Sequence, residues 1–396
     1  MKKVLSIILA VVMVVCALPF SLTASAEVTS GTTGDCTWTL DGGVLTISGN
    51  GAMGNYDSWS TYPPWGKSIT KVIIEEGVTN IGEYSFYNCA NLASVTIPSS
   101  VTSIGSLAFY NCTGLIRVDT PDLSAWLNID FGSVSDNPTY YTKSLYVNGK
   151  SAKDIIIPDG ITSIKDYAFY NCANITSVEI PNSVTSIGEE TFYGCTGLTS
   201  ATIPNSVTSI GGYAFYDCGE LVNIDIPKSV TNIGEGAFFN CYGLTNVVIP
   251  NSIVSILART FQFCSKLESV FIPKSVMNIA NDAFYYDYNI SDVWYEGSED
   301  DKNNMLIGAT NTYLLNATWH YNICQAENHS YASDCDTTCG NCEWVREAVA
   351  EHVFDNPCDT DCNNCGLLRE TSHTYDNDGD ATCNTCDYTR EIVADY

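Results

Sequence analysis

Positive charge is scarce in this chain. Its 396 residues hold 17 Lys and Arg against 45 Asp and Glu, a formal net charge of -28. Such a surface repels phosphate backbones, so nucleic acid is not an expected partner. Histidine is scarcer still: the four are His320, His329, His352 and His373, and none lies between Ala26 and Trp319. That removes Ser-His-Asp and Cys-His machinery from most of the chain. A Gly-rich phosphate loop with Lys, a Gly-x-Ser-x-Gly elbow and a His-Glu-x-x-His zinc motif are also missing. The glycines follow no three-residue period, which excludes collagen. Disorder is excluded too, because 45% of residues are apolar and 11% aromatic.

Long apolar runs are confined to the start. Lys2 and Lys3 precede an apolar run from Val4 to Leu18, and Ala24-Ser25-Ala26 supplies small residues. This reads as a secretory signal peptide, 1–26, cleaved after Ala26. The run is short for a membrane anchor. Cys16 follows Val15, where a lipobox needs a small residue, so a lipid anchor is not expected. No wall-sorting signal is recognised near Glu391–Tyr396, and no transmembrane segment is expected after signal cleavage. The expected location is secreted or cell surface.

What is abundant is cysteine, with 18 residues, and its spacing exposes a repeat. Cys89 and Cys112 are 23 residues apart, as are Cys172, Cys195, Cys218, Cys241 and Cys264, each from the next. Eight units begin at Ile74, Ile97, Ile157, Ile180, Ile203, Ile226, Ile249 and Ile272, and one carries an insert over 119–156. In the unit I-P-x-S-V-T-x-I-G-x-x-A-F-x-x-C-x-x-L-x-x-V-x, alternation before each Ile predicts a short strand. The following proline stops it, since it cannot donate a ladder hydrogen bond. In one copy, Val207 and Ile210 turn inward, Gly211 is read as a tight corner, and Ala214-Phe215 open a helical or 3₁₀ segment whose Phe fills the coil. One unit cannot bury its apolar face alone, so the units must stack, with strands about 4.8 Å apart.

The pattern resembles the BspA-like leucine-rich repeat proteins. Their turns read L-x-x-V-x-I-P-x-x-V-x-x-I-x-x-x-A-F-x-x-C. The resemblance implies a β-rich solenoid of 23-residue repeats over 74–294, with a β-hairpin N-terminal cap over 27–73 and a C-terminal cap over 295–323. Trp38-Thr39-Leu40, Leu45-Thr46-Ile47-Ser48-Gly49, Met53 and Pro64-Trp65 carry the first cap. Val293-Trp294-Tyr295-Glu296-Gly297 through Trp319-His320-Tyr321 carry the second. The insert, with Trp126, Phe131, Asn137-Pro138 and Leu145 to Gly149, looks like the family's long-repeat variant.

The seven repeat cysteines share one phase and stack in a column. They are read as buried thiols and not as a disulfide ladder. Seven is odd, Asp287 takes the slot in the last unit, and neighbouring ladder side chains point the same way.

Solenoids bind through the face they expose repeatedly. The outward strand position before each Ile, or before Thr120 and Tyr295 in the same phase, reads Thr96, Asp119, Glu179, Thr202, Asp225, Val248, Phe271, Trp294. Glu179, Asp225, Val248, Phe271 and Trp294 are the candidate ligand-binding residues, acidic at first and aromatic at the end. Packing of Phe271 and Trp294 against the C-terminal cap is the competing reading. Glu179 and Asp225 lie two turns apart, roughly 10 Å, too far for a glycosidase pair. No catalytic residues are assigned, and the chain is expected to be non-enzymatic. The resemblance implies a recognition or adhesion protein binding host matrix or cell-surface proteins. The alternative is a glycan-binding module of a polysaccharide-degrading system, with Phe271, Trp294, Trp126, Tyr140 and Tyr141 as stacking platforms.

The remainder, 324–396, holds three Cys/His-rich modules of the form H-x-[YF]-x3-C-x3-C-x2-C-x3-R-E, the first Cys being replaced by Gly379 in the third, where Asp376, Asp378 or Asp380 would have to complete a ligand set. Their candidate metal ligands are His329, Cys335, Cys339 and Cys342; His352, Cys358, Cys362 and Cys365; and His373, Cys383 and Cys386. One His and three Cys make a complete structural zinc set. Disulfides are an open alternative in a secreted chain. Residues 321–396 hold 16 acids and 3 bases, so much of the net charge belongs to this tail.

Overall fold

The computed structural model describes residues 29–322. The signal segment, 1–26, and the Cys/His-rich modules lie outside the described residues. The fold is a β-solenoid of about 23-residue coils with little helix. Contacts divide it into two compact units. The first runs up to Ala125 and includes Ile129–Thr142 and Tyr146–Gly149. The second includes Trp126–Asn128, Lys143–Leu145 and the chain from Lys150 onward.

The first unit opens with an antiparallel meander, Thr29–Thr33, Cys36–Asp41 and Val44–Gly49. Pairing then becomes parallel: Val44↔Lys71 starts a ladder that continues through Lys71↔Ser94 and Ser94↔Arg117. The switch exposes no raw end of the core. Trp38 packs edge-on against Trp65 at 6.1 Å, and Trp65 lies 5.9 Å from Phe86. The Trp65 indole donates to the Ser85 carbonyl at 3.1 Å, so its polar atom is satisfied while the ring plugs the first coil.

In the second unit, Ser177–Glu179 pairs with Asp154–Ile156 on one side and Ser200–Thr202 on the other. A later ladder joins Asn246–Val248, Ser269–Ile272, Asp292–Tyr295 and Thr318–His320. Each coil also carries a two-residue strand beyond its proline, such as Ser186–Ile187 against Ser209–Ile210. The alternation in the sequence signals the first strand of each coil; the second is too short to show a period.

The Ile that opens each unit is buried in all eight coils. The phenylalanines form a column: Phe169, Phe192, Phe215, Phe238, Phe261 and Phe284 stack at 5.2–5.4 Å, their planes within 18° of parallel. Burying one such side chain contributes about 1.5–3 kcal/mol, so the column is a main source of cohesion. The Ala-Phe stretch is a run of turns, not a helix. Its backbone bonds alternate between the next coil, as in Phe192 N–H to Ala214 O and Phe215 N–H to Ala237 O, both 2.8 Å, and the turn itself, as in Tyr216 N–H to Tyr213 O at 3.0 Å.

Two positions per coil adopt left-handed backbone. One lies two residues after the Gly (Tyr84, Leu107, Glu190, Tyr213); the other precedes the Cys (Asn88, Asn111, Asp217, Asn240). Asn and Asp suit the second position, since they tolerate this region better than other residues. Gly211, expected to be a corner glycine, serves a different purpose. A Cβ there would sit 2.5 Å from the Gly188 carbonyl, so the glycine permits close approach of two coils.

The cysteines form the expected buried column, without disulfides among the described residues. Their thiols are also satisfied in a repeating way. Cys112, Cys195, Cys218, Cys241 and Cys264 each donate to the carbonyl of the Phe 26 residues earlier, at 3.0–3.3 Å. Burial pushes these thiols well above their ordinary range, and that of Cys89 up to about 12. Asp287 occupies the same slot in the last unit, fully buried, with neither carboxyl oxygen hydrogen-bonded.

Candidate recognition surface

The outward strand positions sort into two groups. In the second unit, Val248, Phe271, Trp294 and His320 are cross-strand neighbours in register. Val248 is exposed, and the other three are half-buried. Inward neighbours Val247, Val270 and Val293 are buried, so strand alternation holds this row outward. The Trp294 and His320 rings stack at 4.0 Å, 14° from parallel. His320 is fixed from behind: its Nε2 lies 2.8 Å from Asp292 Oδ1, and Ser291 Oγ donates to Asp292 Oδ2 at 2.6 Å. Those two bonds, the one to His320 foremost, hold the Asp292 carboxyl below the usual carboxylate range. The result is an ordered aromatic strip on a pleated sheet. Neither sequence reading of Phe271 and Trp294 was complete. They face outward, yet His320 from the last rung covers one face of Trp294.

Glu179 and Asp225 do not join this strip. Glu179 is exposed at the end of its strand, opposite Thr202. Asp225 is exposed in a stretch, Leu221–Ile226, that forms no strand, so the ladder is interrupted there. Glu179 is three coils from Val248, roughly 14 Å at strand spacing. His320 was the missed member. Trp319-His320-Tyr321 echoes Val293-Trp294-Tyr295, but at 26 residues instead of 23.

Of the suggested insert platforms, Trp126 is fully buried, and its indole donates to the Ala168 carbonyl at 2.7 Å. It is core and cannot stack on a ligand. Tyr140 is exposed, and Tyr141 is half-buried with its hydroxyl accepting from the Asn111 N–H at 2.6 Å.

The first unit carries a groove of about 680 Å³ on its own strand face. Lys71, Ser94, Thr96, Arg117, Asp119 and Asn148 are among its lining residues. Arg117 forms a bidentate pair with Asp119, both contacts 2.6 Å, and its guanidinium lies 4.2 Å over the Tyr146 ring. Composition gave no hint of this groove, because it needs the insert residues folded beside the strands.

Among the described residues no group of three or more metal-ligating side chains comes together. The candidate zinc ligands from His329 to Cys386 lie outside the described residues. No described helix is long and apolar enough to cross a membrane.

The chain is similar to several solved bacterial proteins. A leucine-rich repeat protein from Treponema (T. pallidum) is 28% identical, with 42% of this chain and 85% of that one covered, at a TM-score of 0.37. One from Eubacterium ventriosum is 22% identical, covering 77% and 98%, TM-score 0.43. A leucine-rich cell surface protein from Faecalibacterium prausnitzii is 23% identical, covering 70% and 97%, TM-score 0.35. No curated protein matches. The model of the BspA type leucine-rich repeat region matches in six copies over residues 65–162 and 162–291. With more than half its length matched and its coils in the register described above, the chain belongs to the BspA-type leucine-rich repeat family.

Proposed function

We propose that this is a non-catalytic extracellular recognition protein, secreted or held at the cell surface, that binds protein ligands through its strand faces. The observation that carries the reading is the register-aligned strip Val248, Phe271, Trp294 and His320. Three consecutive ring-bearing rungs hold large contact area at low entropic cost, the composition of interaction hot spots. Family membership supports a repeat-built surface protein, and the Faecalibacterium relative is itself described as a cell surface protein. The class of partner proposed is a matrix or cell-surface protein.

The test is a pull-down of immobilised matrix proteins by the full chain, beside the Phe271→Ala and Trp294→Ala variants. Binding to a matrix protein, weakened by both substitutions at unchanged melting temperature, supports the proposal. Binding that ignores both substitutions, or no binding, sinks it.

A further inference from the structure

The first unit holds a second exposed aromatic feature, on a loop and away from any strand. Trp59 is 87% exposed and Tyr62 58% exposed. Trp59 nevertheless sits on a braced loop. Asp57 accepts hydrogen bonds from the Trp59 N–H at 2.7 Å, the Ser60 N–H at 2.5 Å and the Thr61 N–H at 3.1 Å. The Ser60 hydroxyl donates to its other oxygen at 2.7 Å. The Asp57 N–H donates to Thr61 O at 2.9 Å, closing the turn. These bonds, led by those from Ser60, hold the Asp57 carboxyl far below the usual range, so the brace persists over all ordinary pH. The backbone that presents a large apolar ring to water is thus held in a fixed place.

The loop borders a cleft of about 340 Å³, with Lys67, Tyr84, Tyr87 and Asn88 on its other side. Among the described residues, the Lys67 ammonium makes no ion pair. The Tyr84 and Tyr87 hydroxyls likewise make no hydrogen bond among them; their rings contact each other at 5.2 Å. Asn88 Oδ1 accepts from Asn111, which leaves its amide N–H groups to donate. The cleft therefore joins aromatic platforms to several uncommitted donors and acceptors.

We infer that this cleft binds a neutral sugar chain, with Trp59 stacking on the apolar face of a pyranose ring. The volume suits one or two rings, at the small end of ligand pockets. A purely apolar ligand would leave the polar groups unpaired. Asp57 disfavours an anion, and Lys67 disfavours a cation. A polyhydroxylated neutral ligand uses both the rings and the hydrogen-bonding groups. The braced loop removes the cost of ordering the backbone that a mobile loop would incur on binding. This site shares no residue with the strip at Val248 to His320 and does not depend on it.

The test uses the full chain and soluble neutral polysaccharides (glucan, mannan, galactan and xylan), with polygalacturonate as an acidic control. Binding is read by titration calorimetry and tryptophan emission. At least one neutral polysaccharide is expected to bind saturably. Trp59→Ala is expected to weaken it by roughly tenfold or more, and Trp59→Phe to restore most of it. Trp294→Ala should leave it unchanged. Because Trp59 is 87% exposed, its substitution should not move the melting temperature. The inference is overturned if no neutral polysaccharide binds, if only the acidic one does, or if Trp59→Ala binds sugar as the parent does.

Discussion

Asp287 is the sharpest departure from the repeat, and replacing it with Cys should stabilise the protein. In five other coils the thiol in this slot donates to a Phe carbonyl, and Phe261 is the matching Phe for residue 287. An ionised carboxyl there would have no proton to give, and the protonated form still brings a second oxygen to a slot shaped for a single donor. Neither Asp287 oxygen has a partner, and the residue is fully buried. Desolvation pushes its carboxyl well above the ordinary range; the Cys264 backbone eases that in part without reaching hydrogen-bond geometry. An orphaned buried polar group costs about 1–3 kcal/mol, which Asp287→Cys should recover. The gain must also depend on pH. Below about pH 4 the carboxyl is protonated in both folded and unfolded chains. Above that, the unfolded chain releases its proton while the folded one keeps it. Folding then loses about 1.4 kcal/mol per pH unit until the raised folded value is reached. The advantage of Asp287→Cys over the parent should therefore be small near pH 4 and largest at neutral pH. Urea unfolding at both pH values measures it, followed by tryptophan fluorescence because repeat arrays need not unfold as one step. Comparing variant with parent cancels the other carboxylates, including Asp301, held down to about 2 chiefly by Lys274. A difference that does not change with pH, or a less stable variant, would refute the argument.

Three other outcomes are expected. Native protein exposed to iodoacetamide at neutral pH should leave Cys112, Cys195, Cys218, Cys241 and Cys264 unmodified by peptide mapping, with full labelling in denaturant. Labelling of the native column at the denatured rate would contradict its burial. Gly211→Ala should cost about 1–3 kcal/mol by pressing a methyl group onto the Gly188 backbone. Gly212→Ala, whose Cβ meets only Glu235 O at 3.4 Å, should be near neutral, and equal melting temperatures for the pair would count against this packing. In the C-terminal modules, elemental analysis of the full chain is expected to find zinc that a chelator removes; a metal-free protein with its eight tail cysteines in disulfide-linked peptides would dismiss it.

The coil interior was legible in the sequence because each interior position serves the same purpose in every copy. The Ile, Phe and Cys phases map directly onto three buried columns. What could not be read depended on distances between coils. Gly211 looks like a turn residue until the neighbouring backbone is placed 2.5 Å from its missing Cβ. Trp126 looks like a platform because the sequence does not reveal that the Ala168 carbonyl waits for its indole. His320 is not legible as a rung because it arrives 26 residues after Trp294, outside the 23-residue period. The groove lined by Arg117, Asp119 and Asn148 was invisible for the same reason, since it is assembled from the insert as well as the strands.

This division also explains how such a chain can vary its binding surfaces without losing its fold. Interior positions are coupled to neighbouring coils: the rings from Phe192 to Phe261 stack on the one before and the one after, and five of the thiols bond to the preceding coil. A change there propagates along the column, so it is felt twice. Outward positions carry no such double constraint. Thr96, Glu179, Val248, Phe271 and Trp294 share one phase, yet they differ in charge, size and polarity while the residue after each, Ile in four cases and Tyr295 in the last, stays buried. The Trp59 loop takes this further: its hydrogen bonds close on Asp57 and spare the solenoid. The residues that shape recognition are therefore those whose removal should leave melting behaviour almost untouched. A ligand lost without a stability change points to the outward rows or the loop. A ligand lost together with stability points to the columns.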